Sequence, residues 1–349
     1  DNLAVPTLIG LLDDEECRQS LCRHHIINGL GRIGDERAAG PLVRLLRESS
    51  PLKLPGYALP VVTALRRIGG DEAFRGLVEA LEYLPTEKSV DDPAILILRE
   101  EESLMVRSEA VNALGDMGDE RAIQPLIKVL KSDDGGGPPR GRKARFAWGN
   151  SKTSLQAILA VEKLTKFKQD DRFVSALIVA LDSKYLIVRK KAAFKLIPFK
   201  DNRKIGPLVA ALQDEDEDIR NYAIQGLAIF GREHGELVCD DLIEALNNDD
   251  LNVAGIAAEA LGNIGDERAV EPLINLLRSK HNQLVGNDPY SLKGVSTTPR
   301  VVIHRRFRRY LIVALGNLRD KRATTLLIEV LEEGDDHGGD HPTDYSAVA

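Results

Sequence analysis

The sequence is poor in aromatic residues. Phe, Trp and Tyr make up 5% of its 349 residues, and there is a single tryptophan. Strands draw on aromatic and β-branched side chains, whereas alanine and leucine favour helices. Because alanine and leucine supply most of the 43% hydrophobic content, the composition favours closely packed helices over a sandwich of sheets, and it excludes global disorder.

Long apolar runs and paired cysteines are also missing. No run of about 18 apolar residues occurs, so we expect no membrane span. The three cysteines, Cys17, Cys22 and Cys239, form no C-x-x-C pair. They fit a reducing compartment and the role of small buried apolar residues, so we expect a cytoplasmic protein. The sequence begins with Asp1 and shows no targeting segment, which fits a trimmed chain.

The motifs of common catalytic and cofactor sites are absent as well. The seven histidines form no H-E-x-x-H motif and no Cys/His cluster, and there is neither a G-x-G-x-x-G fingerprint nor a P-loop. His24 and His25 adjoin Cys22, but adjacent side chains on a helix point in different directions. We expect no catalytic residue, metal or cofactor. The sequence leaves enzymatic activity open but favours a non-catalytic protein.

A repeated phrase organises the chain. Gly-Asp-Glu-Arg-Ala begins at Gly34, Gly118 and Gly265, and each copy precedes an apolar stripe with helical spacing. The first leucine of that stripe recurs at intervals of about 31 residues or more, which is enough for two helices and two turns. We call the helix after the phrase the A helix and the next one the B helix. The pattern predicts an all-α fold with nine A helices and eight B helices.

The chemistry of the repeated residues explains these elements. Asp is a good helix N-cap, and the Gly before it permits a left-handed turn. The B helices carry a late glycine, which we expect to let neighbouring helices approach closely. The equivalent positions are Gly31, Gly115, Gly262 and Gly316.

Four insertions lengthen the repeats, at 49–57, 85–103, 132–152 and 279–304. Each lies between an A helix and the following B helix, so in a solenoid they would share one rim. Insertions on one face often mark the working face of a repeat protein, although neutral drift in surface loops is the alternative. We expect one solenoid domain over 1–334 and an acidic, disordered tail over 335–349.

These features resemble the HEAT-repeat family, specifically its short phycobilin-lyase-type (PBS lyase) HEAT-like repeat. The matching residues are the Gly-Asp-Glu-Arg-Ala turns, the Pro-Leu stripes and B-helix strings such as 258–262. The resemblance covers about 3–333 and implies a right-handed α-solenoid of about eight to nine helix pairs. It implies little about function, because the repeat serves many unrelated proteins. HEAT-repeat hydroxylases that hold two irons use His-Glu dipeptides, and this sequence has none.

Cations and aromatics concentrate in two insertions. Within the 132–152 insertion, residues 135–148 carry four cations and two aromatics, which suits partner docking, nucleic-acid binding or a solvated loop. Residues 289–319 carry seven cations and no acid, although the whole chain has a net charge of −7. The candidate partner-binding residues of this rim are Arg140, Arg142, Lys143, Arg145, Phe146, Trp148, Arg300, Arg305, Arg306, Arg308 and Arg309.

The B helices supply a second set of candidates. In HEAT-like arrays they line the concave surface, and aligning them on one leucine each gives comparable columns. Exposed aromatics in such a groove suit a peptide, a helix or a flat ligand, whereas a register error of one residue would make them core residues. The concave candidates are Asn112, Glu162, Lys190, Lys191, Phe194, Tyr222, Gln225 and Tyr310.

The leading hypothesis is a non-catalytic scaffold that holds a protein partner on the concave B-helix face and the insertion-bearing rim. One alternative is bilin handling, since the repeat resembles that of phycobilin lyase subunits, which attach or remove linear tetrapyrroles. No residue set here marks that chemistry. A second alternative is binding of nucleic acid or another polyanion through the basic 293–319 segment, although an acidic chain is an unusual nucleic-acid binder.

Overall fold

The regular structure of the described residues is helical, and no strand occurs among them. The computed structural model describes residues 4–14, 22–48, 57–83, 93–131, 142–165, 170–248, 251–287 and 299–335. The fold is therefore all-α, as the composition predicts.

Odd-numbered helices are the A helices and even-numbered helices are the B helices. The A helices are α1 (Ala4–Leu12), α3 (Ala39–Glu48), α5 (Gly70–Ala80), α7 (Ile123–Lys131), α9 (Asp171–Leu181), α11 (Ile205–Ala211), α13 (Gly235–Ala245), α15 (Val270–Asn287) and α17 (Thr324–Asp335). The B helices are α2 (Cys22–Ile33), α4 (Ala58–Ile68), α6 (Pro93–Met117), α8 (Arg142–Leu164), α10 (Leu186–Leu196), α12 (Glu217–Gly231), α14 (Leu251–Ile264) and α16 (Pro299–Leu318). The described residues thus contain the nine A and eight B helices that the repeat predicts.

Two columns of leucines form the core. The B-helix leucines used for alignment are all buried: Leu30, Leu65, Leu114, Leu164, Leu196, Leu227, Leu261 and Leu315. The A-helix leucines are buried as well, except the first of them, Leu8, which is half-buried. The helical spacing therefore identified the buried face of both helix types correctly.

The repeated turns are built as their residues predict. Asp35 accepts a hydrogen bond from the main-chain N–H of Arg37 and caps a short 3-10 turn that leads into α3. The glycines before the capping Asp residues have positive φ: 72° at Gly34, 71° at Gly118 and 81° at Gly265. At the last turn Arg319 takes the glycine's place with a φ of 52°, a conformation that strains a residue with a Cβ.

The B-helix glycines are sites of close helix contact. A Cβ on Gly115 of α6 would lie 2.9 Å from the Cβ of Ala160 on α8. A Cβ on Gly262 of α14 would lie 2.6 Å from the Cα of Ala314 on α16. The expectation that a small residue permits close approach is confirmed at these positions.

Much of three insertions is helix rather than irregular loop. Helix α6 begins at Pro93 instead of near Val106, and α8 and α16 begin at Arg142 and Pro299. Helix α15 continues to Asn287. The insertions therefore lengthen the repeat helices themselves, while the rest of each insertion lies outside the described residues.

The chain divides into two compact units, 1–192 and 193–349. In the first, B helices pack on one another in the order α2, α4, α6 and α8, and A helices pack as α3 on α5 and α7 on α9. In the second, α12 packs on α14 and α14 on α16, while α11 contacts α13 and α15 contacts α17. Each unit follows the A-on-A, B-on-B stacking of a helical repeat.

Of the cysteines that the structure describes, one is buried and one is exposed, while Cys17 lies outside the described residues. Cys239 on α13 is buried, and burial raises the pKa of its thiol to about 12. Cys22 is exposed at the start of α2, so the expectation of a buried apolar role is wrong there. No described helix has the length and apolar character needed to cross a membrane.

Candidate functional site

The outward side of the B helices is the first candidate. We define the B face as the positions two and five residues before each B-helix leucine. Most of these side chains are exposed or half-buried, and the buried exceptions are Glu162 and Ile256. Because the intervening leucine columns are buried, the face has the register that the sequence predicts. A partner-binding role for these residues remains a prediction.

Ion pairs join neighbouring B helices beside the B face of the first unit. Arg66 on α4 pairs with Glu109 on α6 at 3.0 Å and also with Asp116. Lys163 on α8 pairs with Asp116 at 2.7 Å. The hydrogen bond from Lys163, with the charge of Arg66, lowers the pKa of the Asp116 carboxyl. Asn112 lies half-buried on α6 between the two acids of this network.

The other first-unit candidates have mixed surroundings. Glu162 on α8 is buried, so it is poorly placed to meet a partner directly. Lys190 and Lys191 on α10 are half-buried. Leu159, also on the B face of α8, is exposed.

The B face of the second unit exposes aromatic surface. The rings of Phe194 on α10 and Tyr222 on α12 meet edge to face, with 5.4 Å between their centroids. Phe194 is 53% exposed and Tyr222 is half-buried. Gln225 and Ile229 follow on the outward side of α12, and both are exposed. The structure thus brings two sequence-predicted site residues, Phe194 and Tyr222, into direct contact.

Tyr310 on α16 lies against a neighbouring backbone. A Cβ on Gly255 of α14 would come within 2.4 Å of the Tyr310 ring, so the glycine leaves room for it. The ring is half-buried. Tyr310 thus combines a packing role with a partly accessible edge.

Most rim candidates lie where side chains are not described. Arg140 falls outside the described residues. The candidates on α8 and α16 whose side chains are not described are Arg142, Lys143, Arg145, Phe146, Trp148, Arg300, Arg305 and Arg306. Arg309 is exposed on α16, and its role in partner binding remains a prediction.

Arg308 belongs to a structural column that sequence reasoning missed. Its guanidinium donates to the main-chain carbonyl of Val330 on α17. Arg23 donates to the carbonyl of Leu12 at 2.6 Å, and Arg107 to that of Leu81 at 3.1 Å. Arg189 and Arg220 likewise bind main-chain carbonyls before their helices. Leu12 and Leu81 lie at the ends of A helices, where main-chain carbonyls lack a helical partner, whereas Val330 lies within the A helix that follows α16.

The signal for this column was present in the sequence. Each of the five arginines lies seven residues before its B-helix leucine, and alanine occupies the same position in α4, α8 and α14. Arg308 falls in one basic run with Arg305, Arg306 and Arg309. The spacing separates it from them.

A ladder of ion pairs follows the A-helix turns. Arg121 binds the capping Asp119 at 2.5 Å and reaches back to Asp71 of the preceding A helix at 2.7 Å. Arg172 binds Asp170 and reaches back to Glu120 at 2.9 Å. In the second unit Arg268 and Arg322 repeat the arrangement with Asp240 and Glu271. These arginines are therefore paired both within their own turn and with the preceding repeat.

One turn departs from the pattern at Lys204. It stands where the other 3-10 turns have a buried alanine, and its side chain is fully buried. The ammonium donates to the carbonyls of Leu196 and Ile197, both at 3.2 Å, at the end of α10. It lies 5.5 Å from the Phe230 ring centre. Burial lowers the pKa of Lys204 to about 8, while Asp201 opposes the shift.

The fold and its turns define a helical-repeat protein of the α-solenoid class. A model for HEAT repeats matches residues 71–137 and 205–288, and a model for the PBS lyase HEAT-like repeat matches 23–48 and 307–333. Together these segments span more than half of the chain. The chain belongs to the HEAT-repeat family.

Several solved structures show some similarity. Human deoxyhypusine hydroxylase in complex with glycerol is 20% identical, with 90% of this chain and 96% of that chain covered and a TM-score of 0.33. The complex of CpcE and CpcF of phycocyanin lyase from Nostoc sp. is 16% identical, with coverages of 88% and 94% and a TM-score of 0.29. Importin beta is 15% identical, with coverages of 96% and 44% and a TM-score of 0.36. No curated protein sequence matches the chain, so function has to be argued from its own residues.

Proposed function

We propose that this chain is a non-catalytic scaffold that binds a protein partner through the B face and the insertion-bearing rim. The observation that carries the proposal is the contact between the exposed ring of Phe194 and the half-buried ring of Tyr222. Single exposed apolar side chains are ordinary, but aromatic rings in contact on a helix face, with Ile229 exposed on the same side, form a patch. Large aromatic side chains supply much of the binding energy at protein interfaces.

The rigidity of the surrounding helices supports this role. Tyr222 lies on α12, which packs against α11, α13 and α14. Gly226 on the inner side of α12 lets the Leu208 side chain approach, because a Cβ there would lie 3.0 Å from its Cδ1. A side chain held on a well-packed helix loses little conformational freedom when a partner binds.

A site-specific crosslinking experiment tests the proposal. A photoreactive amino acid at Gln225 should give a discrete adduct with one protein in cells, and Phe194→Ser in the same chain should abolish it. The matched control places the same group at Glu244, which is exposed on the A helix α13. Equal adducts from both positions, or an adduct at 225 that survives Phe194→Ser, would count against partner binding on the B face.

Bilin handling is the alternative that the family match favours. The PBS lyase HEAT-like repeat model matches near both ends of the chain, at 23–48 and 307–333. If the chain handles a linear tetrapyrrole, mixing the two should shift the visible absorbance of the pigment. A scaffold without that activity should leave the spectrum unchanged.

Polyanion binding through 293–319 is the remaining alternative. Arg309 is exposed and available for it, whereas Arg308 is bound to the carbonyl of Val330. Binding of this kind should weaken steeply with salt and should fall when Arg305, Arg306 and Arg309 become serine. If the variant with these three serines loses polyanion binding but still gives the crosslink from position 225, protein binding and polyanion binding are separate activities.

A further inference from the structure

We infer that the turn between α10 and α11, residues 197–204, is a pH-sensitive latch in which the buried Lys204 side chain takes the place of a glycine N–H. The inference goes beyond the proposed function and does not depend on partner binding. Three observations carry it: the turn lacks the repeated glycine, the Lys204 amine binds carbonyls at the end of α10, and the charges nearby leave its burial largely uncompensated.

The regular turns close with a glycine. In three of them the main-chain N–H of the residue four positions after the B-helix leucine donates to the carbonyl of that leucine. The donors are Gly34, Gly69 and Gly265, and the N–O distances are 3.0, 3.0 and 3.1 Å. Each of these glycines has a positive φ, which lets the chain turn out of the helix. The leucine carbonyl at the helix end is thus satisfied by the main chain.

The turn after α10 has no such glycine. Lys200 occupies the equivalent position, four residues after Leu196, and its φ is not positive. Pro198 lies between them, and a proline has no N–H to donate. The helix therefore cannot continue to the position where the glycine would stand. The main-chain N–H of Phe199 donates to the Leu196 carbonyl instead, at 3.2 Å.

The Lys204 side chain closes this end of α10. Its Nζ donates to the carbonyls of Leu196 and Ile197, both at 3.2 Å, and the side chain is fully buried. Lysine can bind the last carbonyls of a helix, and the helix dipole favours a cation there. The alanine at this position of the other 3-10 turns has no side-chain donor. A neutral lysine amine keeps two N–H groups, which is enough for both carbonyls.

Ionisable groups surround Lys204 on its own turn and on the elements beside it. They are Lys195 on α10, Lys200, Asp201 and Arg203 in the turn, and Arg232, Glu233 and His234 after α12. Arg203 binds Asp201 at 2.5 Å, and Lys200 binds Glu233 at 2.6 Å. The charge of Asp201 opposes the effect of burial on Lys204 without cancelling it, so the pKa of Lys204 is lowered to about 8.

Protonation of Lys204 therefore favours opening of the latch. When the turn opens, the amine reaches water and its pKa returns to the ordinary value of 10.5. The open turn then binds a proton more tightly than the closed one, so its population increases as the pH falls. With these two pKa values, the ratio of open to closed turns should be about ten-fold higher at pH 7 than at pH 9.

Hydrogen exchange on the full chain tests the inference. The reporters are the main-chain N–H groups of Ile197, Phe199 and Lys204, which are all bonded to main-chain carbonyls. After division by the intrinsic exchange rate at each pH, their protection should be about ten-fold greater at pH 9 than at pH 7. The matched control is the N–H of Gly265, which closes a glycine turn in the same unit and should be equally protected at both pH values.

Two results of this measurement would overturn the latch. One is equal protection of the three reporters at pH 7 and pH 9. The other is a parallel increase at Gly265, because it would mean that the whole unit unfolds together and that the turn does not open by itself.

Substitutions test whether Lys204 replaces a glycine. Lys204→Ala should lower the protection of Ile197 by about ten-fold at pH 9 and should remove its pH dependence, since the two carbonyls lose their donor. Adding Pro198→Asn and Lys200→Gly to this variant reproduces the sequence pattern of the regular turn at 263–269. The triple variant should recover protection without recovering the pH dependence. Protection no greater than in Lys204→Ala alone would show that a glycine turn cannot stand in for the lysine, which would refute the inference.

Discussion

The buried Lys204 makes the stability of the second unit depend on pH. Its pKa in the folded chain is about 8, below the ordinary value of 10.5. Between these values the unfolded chain binds more protons than the folded one, so stability rises with pH. We expect the free energy of unfolding to increase from pH 7 to pH 10, by the order of 2 kcal/mol, since each unit between two pKa values is worth about 1.4 kcal/mol.

The comparison for this prediction is Lys204→Met, which keeps the apolar stem and removes the charge. The free energy of unfolding of both proteins is measured in urea at pH 7, 8, 9 and 10. Subtracting one from the other removes the contribution of Cys239 and of the other groups that both proteins share. As the pH increases, the free energy of unfolding of the wild type should rise relative to that of the variant. A constant difference across the series would show that the folded ammonium is not perturbed.

We expect Arg107 to stabilise the first unit by donating a hydrogen bond to one main-chain carbonyl. Its Nε donates to the carbonyl of Leu81 at 3.1 Å, and the side chain is buried. Replacing it with methionine keeps much of the packing but leaves a carbonyl without this donor, so we expect a loss of about 1–3 kcal/mol in urea unfolding. The control Arg75→Met removes an exposed arginine that pairs with Glu72 within α5, and it should change stability by less than about 0.5 kcal/mol. Equal effects from the two substitutions would refute a special role for Arg107.

At the scale of the helices, Gly115 sets how closely α6 and α8 pack. A Cβ at this position would lie 2.9 Å from the Cβ of Ala160 and 3.3 Å from its Cα. Gly115→Ala should therefore push the two helices apart and destabilise the chain by about 1–3 kcal/mol, despite the better helix propensity of alanine. The matched control is Gly10→Ala in α1, where no atom lies within 4 Å of the new methyl group. That variant should be neutral or more stable, and the same result for Gly115→Ala would contradict the packing argument.

The helices were predictable where the repeat is regular. The leucine columns and late glycines gave the number, type and buried face of the helices, because burial follows the helical period. The start of α6 was not predictable from repeat length, since subtracting the regular unit assigns residues 85–103 to a turn. Within that segment Pro93 suits the first turn of a helix, and the leucines and glutamates that follow are good helix formers.

The candidate site was predictable only in part. The leucine register places Phe194, Tyr222 and Gln225 on one outward face, because side-chain direction on a helix is fixed by position. The ion pairs were not predictable, because they join long side chains on different helices, as between Arg66 and Asp116. No local sequence pattern encodes such a contact. Arg308 was predictable from its position but not from composition. The basic run around it suggests a charged patch, whereas its spacing from the B-helix leucine matches that of the arginines that bind main-chain carbonyls.

At the scale of the whole molecule, the capping aspartates of several repeats make stability depend on pH in the same acid range. Asp35 and Asp320 have a pKa of about 2, mainly because the neighbouring arginine side chain donates to the carboxylate. The same cause lowers the pKa of the capping carboxyls of the other turns, which are Asp119, Asp170, Asp201 and Asp266. In the unfolded chain these carboxyls titrate near pH 4. Six groups therefore respond together to acid.

The sign of the response follows from proton uptake. Below about pH 4 these carboxyls become protonated in the unfolded chain but stay ionised in the folded turns. Stability therefore falls as the pH drops towards 2. We expect the urea midpoint to decrease steadily from pH 5 to pH 2.5. Asp35→Asn with Asp320→Asn keeps an N-cap oxygen but removes the ion pairs, so this variant should be less stable at pH 5 and should lose less on acidification. Asp241→Asn, at an exposed position on α13, serves as the control and should follow wild type. Parallel curves for wild type and the double variant would mean that acid acts elsewhere than on the turns that join one repeat to the next.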